Sequence, residues 1–564
     1  VVKGKLLECI STNGAVTITK GKVTGSFASS PLSCKTDSTT GAPASLTVTW
    51  KGSVTGYSGK ATFTATTLIG GTSTGSFAGG ATITVDAPSD LATPCGAKKG
   101  IKSLVLTGTT TIGSNSSTSA NWPQDGYGPD RTGLQPNETA IDIGNVSGLS
   151  EARTYGPAVP VATASSPLIT DGTLFDDIDG TLSAFDASGN TDCSPTVCRP
   201  EWTIPSIGDY QYDGMTTGDG EVFVTDRLGV QAYDAAGIRG CSGTPKLCNP
   251  LWTETTFTPS SGRSPLVDNG VLYVPGASNG GPLDTGGAYV AAFDAAGCNA
   301  TVCAPMWTTT GPVTGGGTGP PTVSNGVLYV DDGPLLAFDA TESSAYCTTG
   351  TPAVCSPMWT GTISTTPSGT APAVASAVTN GVDGGTVYVT AGNNLYSFGA
   401  NGTTNCSGPT LSRTCTPLWT ADTGSQIYGS PAVANGTVFA LSSNGYLYAF
   451  DDTGGSNCSG PTLSRTCTPL WTSTSSDEGE NVFEQTTSLA IANGVIYFRA
   501  GNGDAVGLDA AGSVGCSVTN GAKTCAPILN ANPGNDRGTP IVANGVVYVS
   551  NLNTGTISAF SLPQ

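Results

Sequence analysis

The sequence predicts an all-β protein of two bodies. An eight-bladed β-propeller spans residues 121–564, and a small β-sandwich or barrel spans residues 1–112, with a linker at 113–120 between them. Three observations carry this reading. From about residue 157 onward, short apolar runs recur every 50–60 residues. Gly (78 residues), Pro (37), Asn and Asp punctuate those runs as turn residues. Six tryptophans, Trp202, Trp252, Trp307, Trp359, Trp419 and Trp471, each close one unit at near-constant spacing.

The first body is read from runs at 2–10, 14–26, 45–55, 60–68, 78–86 and 101–112. They alternate Thr, Val, Ile and Leu with small residues, as in Leu46-Thr47-Val48-Thr49-Trp50. Cys9, Cys34 and Cys95 are an odd number, so one disulfide is expected and one thiol is left over. Gly113-Ser114-Asn115-Ser116-Ser117-Thr118-Ser119 reads as the linker. Val1 opens on a strand-like segment with no charged-then-apolar leader, as a processed chain would.

Each repeat of the second body holds four strand-like runs. One unit reads Ser430-Pro431-Ala432-Val433, then Asn435-Gly436-Thr437-Val438-Phe439-Ala440, then Tyr446-Leu447-Tyr448-Ala449-Phe450-Asp451, and closes on Pro469-Leu470-Trp471-Thr472. A four-stranded antiparallel sheet of this size cannot bury both faces alone, so it must stack on like sheets around an axis. Asn-Gly before the second run signals a tight turn, and the Asp of Ala-Phe-Asp is placed to cap the next one. Segments 405–420 and 457–472 are identical, a mark of duplication. Strand trios begin near 165, 211, 264, 320, 371, 430, 487 and 539, and the last has no closing strand after it. The spare strand candidate at 145–154 completes that sheet and closes a ring of eight.

Asn121-Trp122-Pro123-Gln124, Arg131-Thr132-Gly133, Glu138-Thr139 and Asn145-Val146…Leu149 resemble the opening segment of pyrroloquinoline-quinone (PQQ) dehydrogenase-like propellers. The repeated unit is similar to that family's blade motif, over residues 120–564. The resemblance implies the propeller fold, and it embraces cofactor-free propellers that bind or scaffold. A PQQ dehydrogenase would further need a calcium carboxylate, an Asp base, polar anchors for the quinone and, in many members, a ring of two adjacent cysteines. No Cys-Cys pair occurs, and Arg227, Arg263 and Arg499 stand apart in the sequence. No catalytic or cofactor-binding residue therefore carries over.

Composition narrows the chemistry further. With no histidine, Ser-His-Asp and Cys-His catalysis and His-ligated zinc, copper or haem are excluded. A net charge of −19 repels phosphate and excludes nucleic acid as a partner. No apolar stretch is long enough for a transmembrane helix. Fourteen cysteines pair by proximity as Cys193/Cys198, Cys241/Cys248, Cys298/Cys303, Cys347/Cys355, Cys406/Cys415, Cys458/Cys467 and Cys516/Cys525. One pair per repeat with irregular spacing reads as disulfides that staple outer turns within each blade, in an oxidising compartment, rather than as metal ligands. The six tryptophans share one blade position and read as packing between blades. Asp176-Asp177-Ile178-Asp179-Gly180, Asp331-Asp332-Gly333 and Asp451-Asp452-Thr453-Gly454 admit calcium, but none has a full calcium-loop pattern, and Asp and Gly also suit plain turns. Asn-x-Ser/Thr occurs at Asn115, Asn137, Asn145, Asn299, Asn401, Asn405, Asn435 and Asn457.

Charge divides the two bodies: about +6 over residues 1–119 and −25 over the rest. The expected function is that of a secreted, non-enzymatic structural or interaction protein of the cell exterior, in its most specific form a filament subunit. Its expected partners are itself, head to tail, or a cell-surface polymer. The alternatives are an extracellular PQQ- and calcium-dependent oxidoreductase and a carbohydrate-binding propeller.

Overall fold

In the computed structural model, the described residues are 120–563 except 157–165, 179–180, 205–213, 227–228, 256, 258, 261–262, 277–289, 311–318, 343–344, 364–368, 376–384, 410–411, 428, 475–487, 501–502, 532–537 and 552–553, together with seven strands before them. The chain divides into two compact units, Val1–Thr118 and Ser119–Gln564. In the first, Val2–Leu6, Lys20–Phe27, Ala44–Lys51, Lys60–Ala65, Thr72–Phe77, Thr82–Asp86 and Thr110–Gly113 pair in chain order as one antiparallel meander. Thr72–Phe77 is absent from the sequence reading because Thr-Ser-Thr-Gly-Ser-Phe lacks the apolar alternation that marks a strand. Cys9, Cys34, Cys95 and Asn115 lie outside the described residues.

The second unit is the eight-bladed propeller. Blade 1 is Leu168–Thr170, Thr173–Ile178, Thr181–Asp186 and Trp202–Thr203. Blades 2 to 7 repeat it, their first strands opening at Gly214, Leu266, Thr322, Ala373, Ala432 and Ala490. Blade 8 joins Ile541–Ala543, Val546–Asn551 and Thr556–Ser561 to a fourth strand from far upstream, Ser150–Tyr155. This is the closure expected from the strand count, but the strand starts at Ser150 rather than at 145. Asp142 and Asn145 fold the chain before it into a short 3-10 turn, Val146–Gly148, through side-chain bonds to nearby backbone.

Local chemistry explains the blade. Asn435 (φ +51°) and Gly436 (φ +80°) make the tight hairpin between the first and second strands, in the backbone region that Asn and Gly tolerate. Core side chains lie between blades rather than within them. Phe223, Val230 and Trp252 of blade 2 pack with Leu272, Val274 and Phe293 of blade 3. First strands of successive blades lie against one another, as Leu168–Thr170 does against Gly214–Gly218, which sets them around the axis.

The connection between the third and fourth strands of a blade reaches across to the preceding blade. Seven disulfides close these connections: Cys193–Cys198, Cys241–Cys248, Cys298–Cys303, Cys347–Cys355, Cys406–Cys415, Cys458–Cys467 and Cys516–Cys525. Each bond joins cysteines of one repeat, but the hairpin it closes docks on the neighbour, which corrects the expectation of staples internal to a blade. Lys246–Cys248 runs parallel to Trp202–Thr203 of blade 1, Arg413–Cys415 to Trp359–Gly361 of blade 4, and Arg465–Cys467 to Trp419–Ala421 of blade 5. The physical reason is the outer edge of each fourth strand, whose backbone donors and acceptors need partners.

A second correction concerns depth. The sequence reading put these disulfides at outer turns, but Cys198, Cys355 and Cys525 are buried, at 1%, 0% and 0% exposure. Each belongs to a hydrophobic cluster of the propeller: Cys198 with Tyr155 and Phe185, Cys355 with Trp307 and Phe338, and Cys525 with Trp471 and Phe439. Cys248, Cys303, Cys415 and Cys467 are buried at the same position. The cause is again the docked strand. Cys198 pairs in register with Tyr155 of blade 8, Cys355 with Thr309 of blade 3, and Cys525 with Ser473 of blade 6, so the second cysteine of each pair descends into the seam. Its partner stays nearer the surface: Cys193, Cys241, Cys406, Cys458 and Cys516 are half-buried, and Cys298 is exposed. Cys347 alone among the first cysteines is buried, at 9% exposure.

Two further kinds of contact cross the same seams. The tryptophans are buried, and Gly237, Gly297, Gly402, Gly454 and Gly512 of the next repeat sit so close over Trp202, Trp252, Trp359, Trp419 and Trp471 that a Cβ there would meet the indole. Trp307 is buried at the same position. The hydroxyls of Tyr329 and Tyr388 donate to the Ala400 and Asp452 carbonyls of the next blade, at 2.9 Å each. Where the third strand closes on Asp, that residue holds the turn that follows. Asp451 accepts from the Thr453 and Ser456 N–H groups, and Asp509 from those of Ala511, Ser513 and Val514.

Candidate functional site: the closed axis

The first strands leave their inner backbone edge facing the axis, and residues 122–133 fill that edge in a single circuit. The N–H of Ile169 in blade 1 donates to the Trp122 carbonyl, that of Thr217 in blade 2 to Pro123, and that of Val267 in blade 3 to the Gln124 side chain. Val323, Val374, Val433 and Ile491 of blades 4 to 7 follow, donating to Pro129, Asp130, Thr132 and Gly133. All seven bonds measure 2.7–3.1 Å. Blade 8 is reached by a side chain, as Glu138 accepts from the Gly545 N–H at 2.9 Å. The order of acceptors along the segment is the order of the blades.

Arg131 is the hub of this segment. It is 2% exposed, and its guanidinium donates to the carbonyls of Pro321, Ser264, Pro265 and Asp125, at 2.6–3.2 Å. Burial works against its charge, and the Asp125 carboxylate 3.2 Å away supports it. Gly126 turns the chain at φ +72°, where a Cβ would stand 3.0 Å from that of Arg131. Between this segment and the starts of blades 5 to 7 lies a narrow cleft with essentially no enclosed volume, lined by Asp125, Arg131, Ala371, Ser430 and Ser488 among others.

The buried carboxylates gather where second strands end. Asp331 and Asp332 close the second strand of blade 4, and burial pushes each carboxyl up to about 7. For Asp331 the Gly333 and Gly369 N–H groups and Arg263 pull the other way. Arg263 donates to the Gly369 carbonyl, which links blades 3 and 5 across this corner. Asp176, Asp177 and Asp226 occupy the corresponding ends in blades 1 and 2, and Asp177 and Asp226 both act on the buried Tyr233. Arg499 ends the second strand of blade 7, four blades from Arg263. Arg227, Asp179 and Gly180 lie outside the described residues.

At Asp451-Asp452-Thr453-Gly454 the chemistry is that of a turn. Asp451 caps it, and the Asp452 carbonyl takes bonds from Tyr388 and Trp419. Among the described residues no three carboxylates or cysteines gather to hold a metal ion. Two sequon asparagines, Asn405 and Asn457, spend their side-chain amides on backbone carbonyls. The sequence marked Trp122, Gln124, Arg131 and Gly133 only as motif residues. Their role on the axis was hidden, because nothing along the chain shows that one segment meets seven distant strands.

Comparison with known proteins follows this geometry. The family model described as outer membrane protein assembly factor BamB matches residues 356–564. A comparison with curated proteins finds no match. Among solved structures, quinohemoprotein alcohol dehydrogenase from Comamonas testosteroni is similar, with a TM-score of 0.50, 13% identity and coverage of 78% of this chain and 80% of that one. A quinohemoprotein alcohol dehydrogenase from Pseudomonas putida HK5 gives 0.49, 13%, 78% and 80%, and BamB from Moraxella catarrhalis gives 0.34, 13%, 69% and 79%. The ring of eight sheets and the likeness to the Comamonas testosteroni structure establish residues 119–564 as a β-propeller of quinoprotein-like fold, with the family model matching its residues 356–564.

Proposed function

We propose that the protein is a non-catalytic scaffold outside the reducing cytoplasm, whose propeller binds protein partners, further copies of itself included. The observation that carries this reading is the circuit of residues 122–133, which occupies the propeller axis with the chain's own backbone. The cleft beside it encloses essentially no free volume, against the ~300–1,000 Å³ typical of small-molecule and cofactor sites. The described residues do not assemble a site that fits a quinone with calcium. The propeller cysteines are spent in disulfides five to nine residues apart, and the described carboxylates form no group of three. Seven disulfides and the absence of a long apolar helix among the described residues suit a periplasmic or extracellular site. The acidic propeller and basic first unit favour association with partners of opposite charge.

The test is direct. Purified protein is incubated with PQQ and calcium, and binding is followed by calorimetry and dye-linked oxidation of alcohols and sugars. Neither heat of binding nor turnover is expected. Saturable quinone binding with turnover would replace this reading with that of an oxidoreductase.

A further inference from the structure

Closing the ring with a strand from upstream leaves one blade without a latch. The fourth strands of blades 1 to 6 and of blade 8 each carry a disulfide-closed hairpin on their outer side. In blade 2 the Thr253 N–H donates to the Thr301 carbonyl and the Cys303 N–H to the Thr253 carbonyl, at 2.9 Å each. In blade 8 the Thr154 N–H donates to the Thr196 carbonyl at 2.8 Å. The hairpin on any blade comes from the next repeat's connection between third and fourth strands. Blade 8 has no such continuous connection, since its fourth strand is Ser150–Tyr155, so among the described residues no hairpin docks on blade 7.

The fourth strand of blade 7, Leu529–Ala531, is accordingly the outermost strand on that side of its sheet. The 3-10 turn Val146–Gly148 lies against it and buries Val146 in the same core cluster as Leu529, but Asn530 stays exposed. Asn530 is the counterpart of Thr253. In the seven latched blades that residue is a threonine, buried or half-buried under its hairpin. The hairpins on the two flanking blades carry exposed valines: Val518, 68% exposed, in the hairpin docked on blade 6, and Val197, 37% exposed, in the one docked on blade 8.

We infer that the outer edge of blade 7 is an acceptor for a β-strand donated by another polypeptide. The donated segment runs parallel to Leu529–Ala531 and has the chemistry of the seven hairpins already seen: a valine or threonine (leucine only at Leu247) followed by cysteine, closed by a disulfide. The seven latched edges carry the argument, because the eighth offers the same backbone groups in the same strand position. The inference rests on the scaffold reading and names the place where a partner binds.

The probe is a fluorescein-labelled, disulfide-closed peptide with the sequence of residues 457–468, Asn-Cys-Ser-Gly-Pro-Thr-Leu-Ser-Arg-Thr-Cys-Thr, titrated against the full chain by fluorescence polarisation. Saturable binding at one site per chain is expected. Asn530→Pro, which removes the outward N–H at an edge position that tolerates proline, should weaken it at least tenfold. Asn530→Thr, the residue of the sister blades, should retain it. Absence of saturable binding, or equal binding by Asn530→Pro, would overturn the inference. Quinone-dependent turnover would instead sink the scaffold reading and leave this titration unaffected, so the two failures are distinguishable.

Discussion

Replacing Gly454 by alanine tests whether the seams between blades are held by glycine against tryptophan. Gly454 has φ +64°, and a Cβ built there stands 2.5 Å from Trp419 Cδ1, 3.0 Å from Cγ and 3.2 Å from Nε1. Carbon contacts settle near 3.5–4.0 Å, so the indole or the turn must move by about 1 Å. The indole has little room. Its Nε1 donates to the Asp452 carbonyl at 3.2 Å, and Tyr388 and Phe450 flank it at ring separations of 5.9 and 6.4 Å. Overpacking of this kind costs about 1–3 kcal/mol, and a left-handed alanine adds ~1 kcal/mol. Gly220→Ala is the control: its φ is +79°, and a Cβ there meets nothing within 4 Å, so only the backbone term of ~1 kcal/mol remains. The hairpin 458–467, which follows Gly454 and docks on blade 5, should open first. Hydrogen exchange read by mass spectrometry should show its amides exchanging roughly 5- to 150-fold faster in Gly454→Ala than in Gly220→Ala, the factor matching the 1–3 kcal/mol difference. Equal exchange in the two variants would refute the steric account of the seam.

Three more outcomes are expected. Arg131→Met strips the donor from the Pro321, Ser264, Pro265 and Asp125 carbonyls and should lower stability by at least about 3 kcal/mol in urea unfolding, whereas a loss under about 1 kcal/mol would mean that Arg131 does not hold the axis. Burial raises the folded-state Asp331 and Asp332 to about 7, so their contribution is full below the unfolded value near 3.8 and is lost as pH rises through about 7; unfolding midpoints should fall between pH 5 and 8, and Asp332→Asn should flatten that slope. Asp186, Asp451 and Asp509 have the opposite sign: burial opposes their charge, but hydrogen bonds outweigh it and hold them below 3.8, so their contribution is present above that value and is lost as pH falls through their lower folded values. Replacing Cys458 and Cys467 together by serine opens a short loop and should cost about 2–3 kcal/mol, and non-reducing digestion of the parent protein should recover the 458–467 pair with no free thiol at either position.

Much of the fold was legible because the repeat writes it many times over. Asn435-Gly436, the Asp of Ala-Phe-Asp and the closing tryptophans each signal a local event that the next few residues complete. Counting strand trios was enough to expect that an upstream strand closes the last sheet, since a sheet lacking its outer strand leaves a bonding edge. What stayed hidden depends on neighbours in space. Cys241 and Cys248 announce a bond to each other, but not that their hairpin lies on blade 1, because the partner strand Trp202–Thr203 belongs to the previous repeat. The burial of Cys198, Cys355 and Cys525 was hidden for the same reason, since the side chains that cover them arrive with another blade. Arg131 reads as a lone basic residue until Ser264, Pro265 and Pro321 converge on it. Asn530 stands where the sister blades carry threonine, and nothing along the chain marks its edge as different, because the hairpins that cover the others arrive from the next repeat.

The circuit of residues 122–133 bears on how such a protein can change over generations. Repeats of this kind multiply by copying, and the identical stretches 405–420 and 457–472 are the trace of one such event. A propeller without an axial segment could absorb an added or lost copy by opening or tightening its radius. Here seven acceptors, taken in order by seven first strands, act as a tally with a fixed number of marks. A blade deleted among the seven would leave an acceptor stranded over a gap, and one inserted between them would break their order. The segment therefore fixes the succession of seven blades, holds the eighth only through Glu138, and lets individual repeats drift so long as none of the seven is gained or lost.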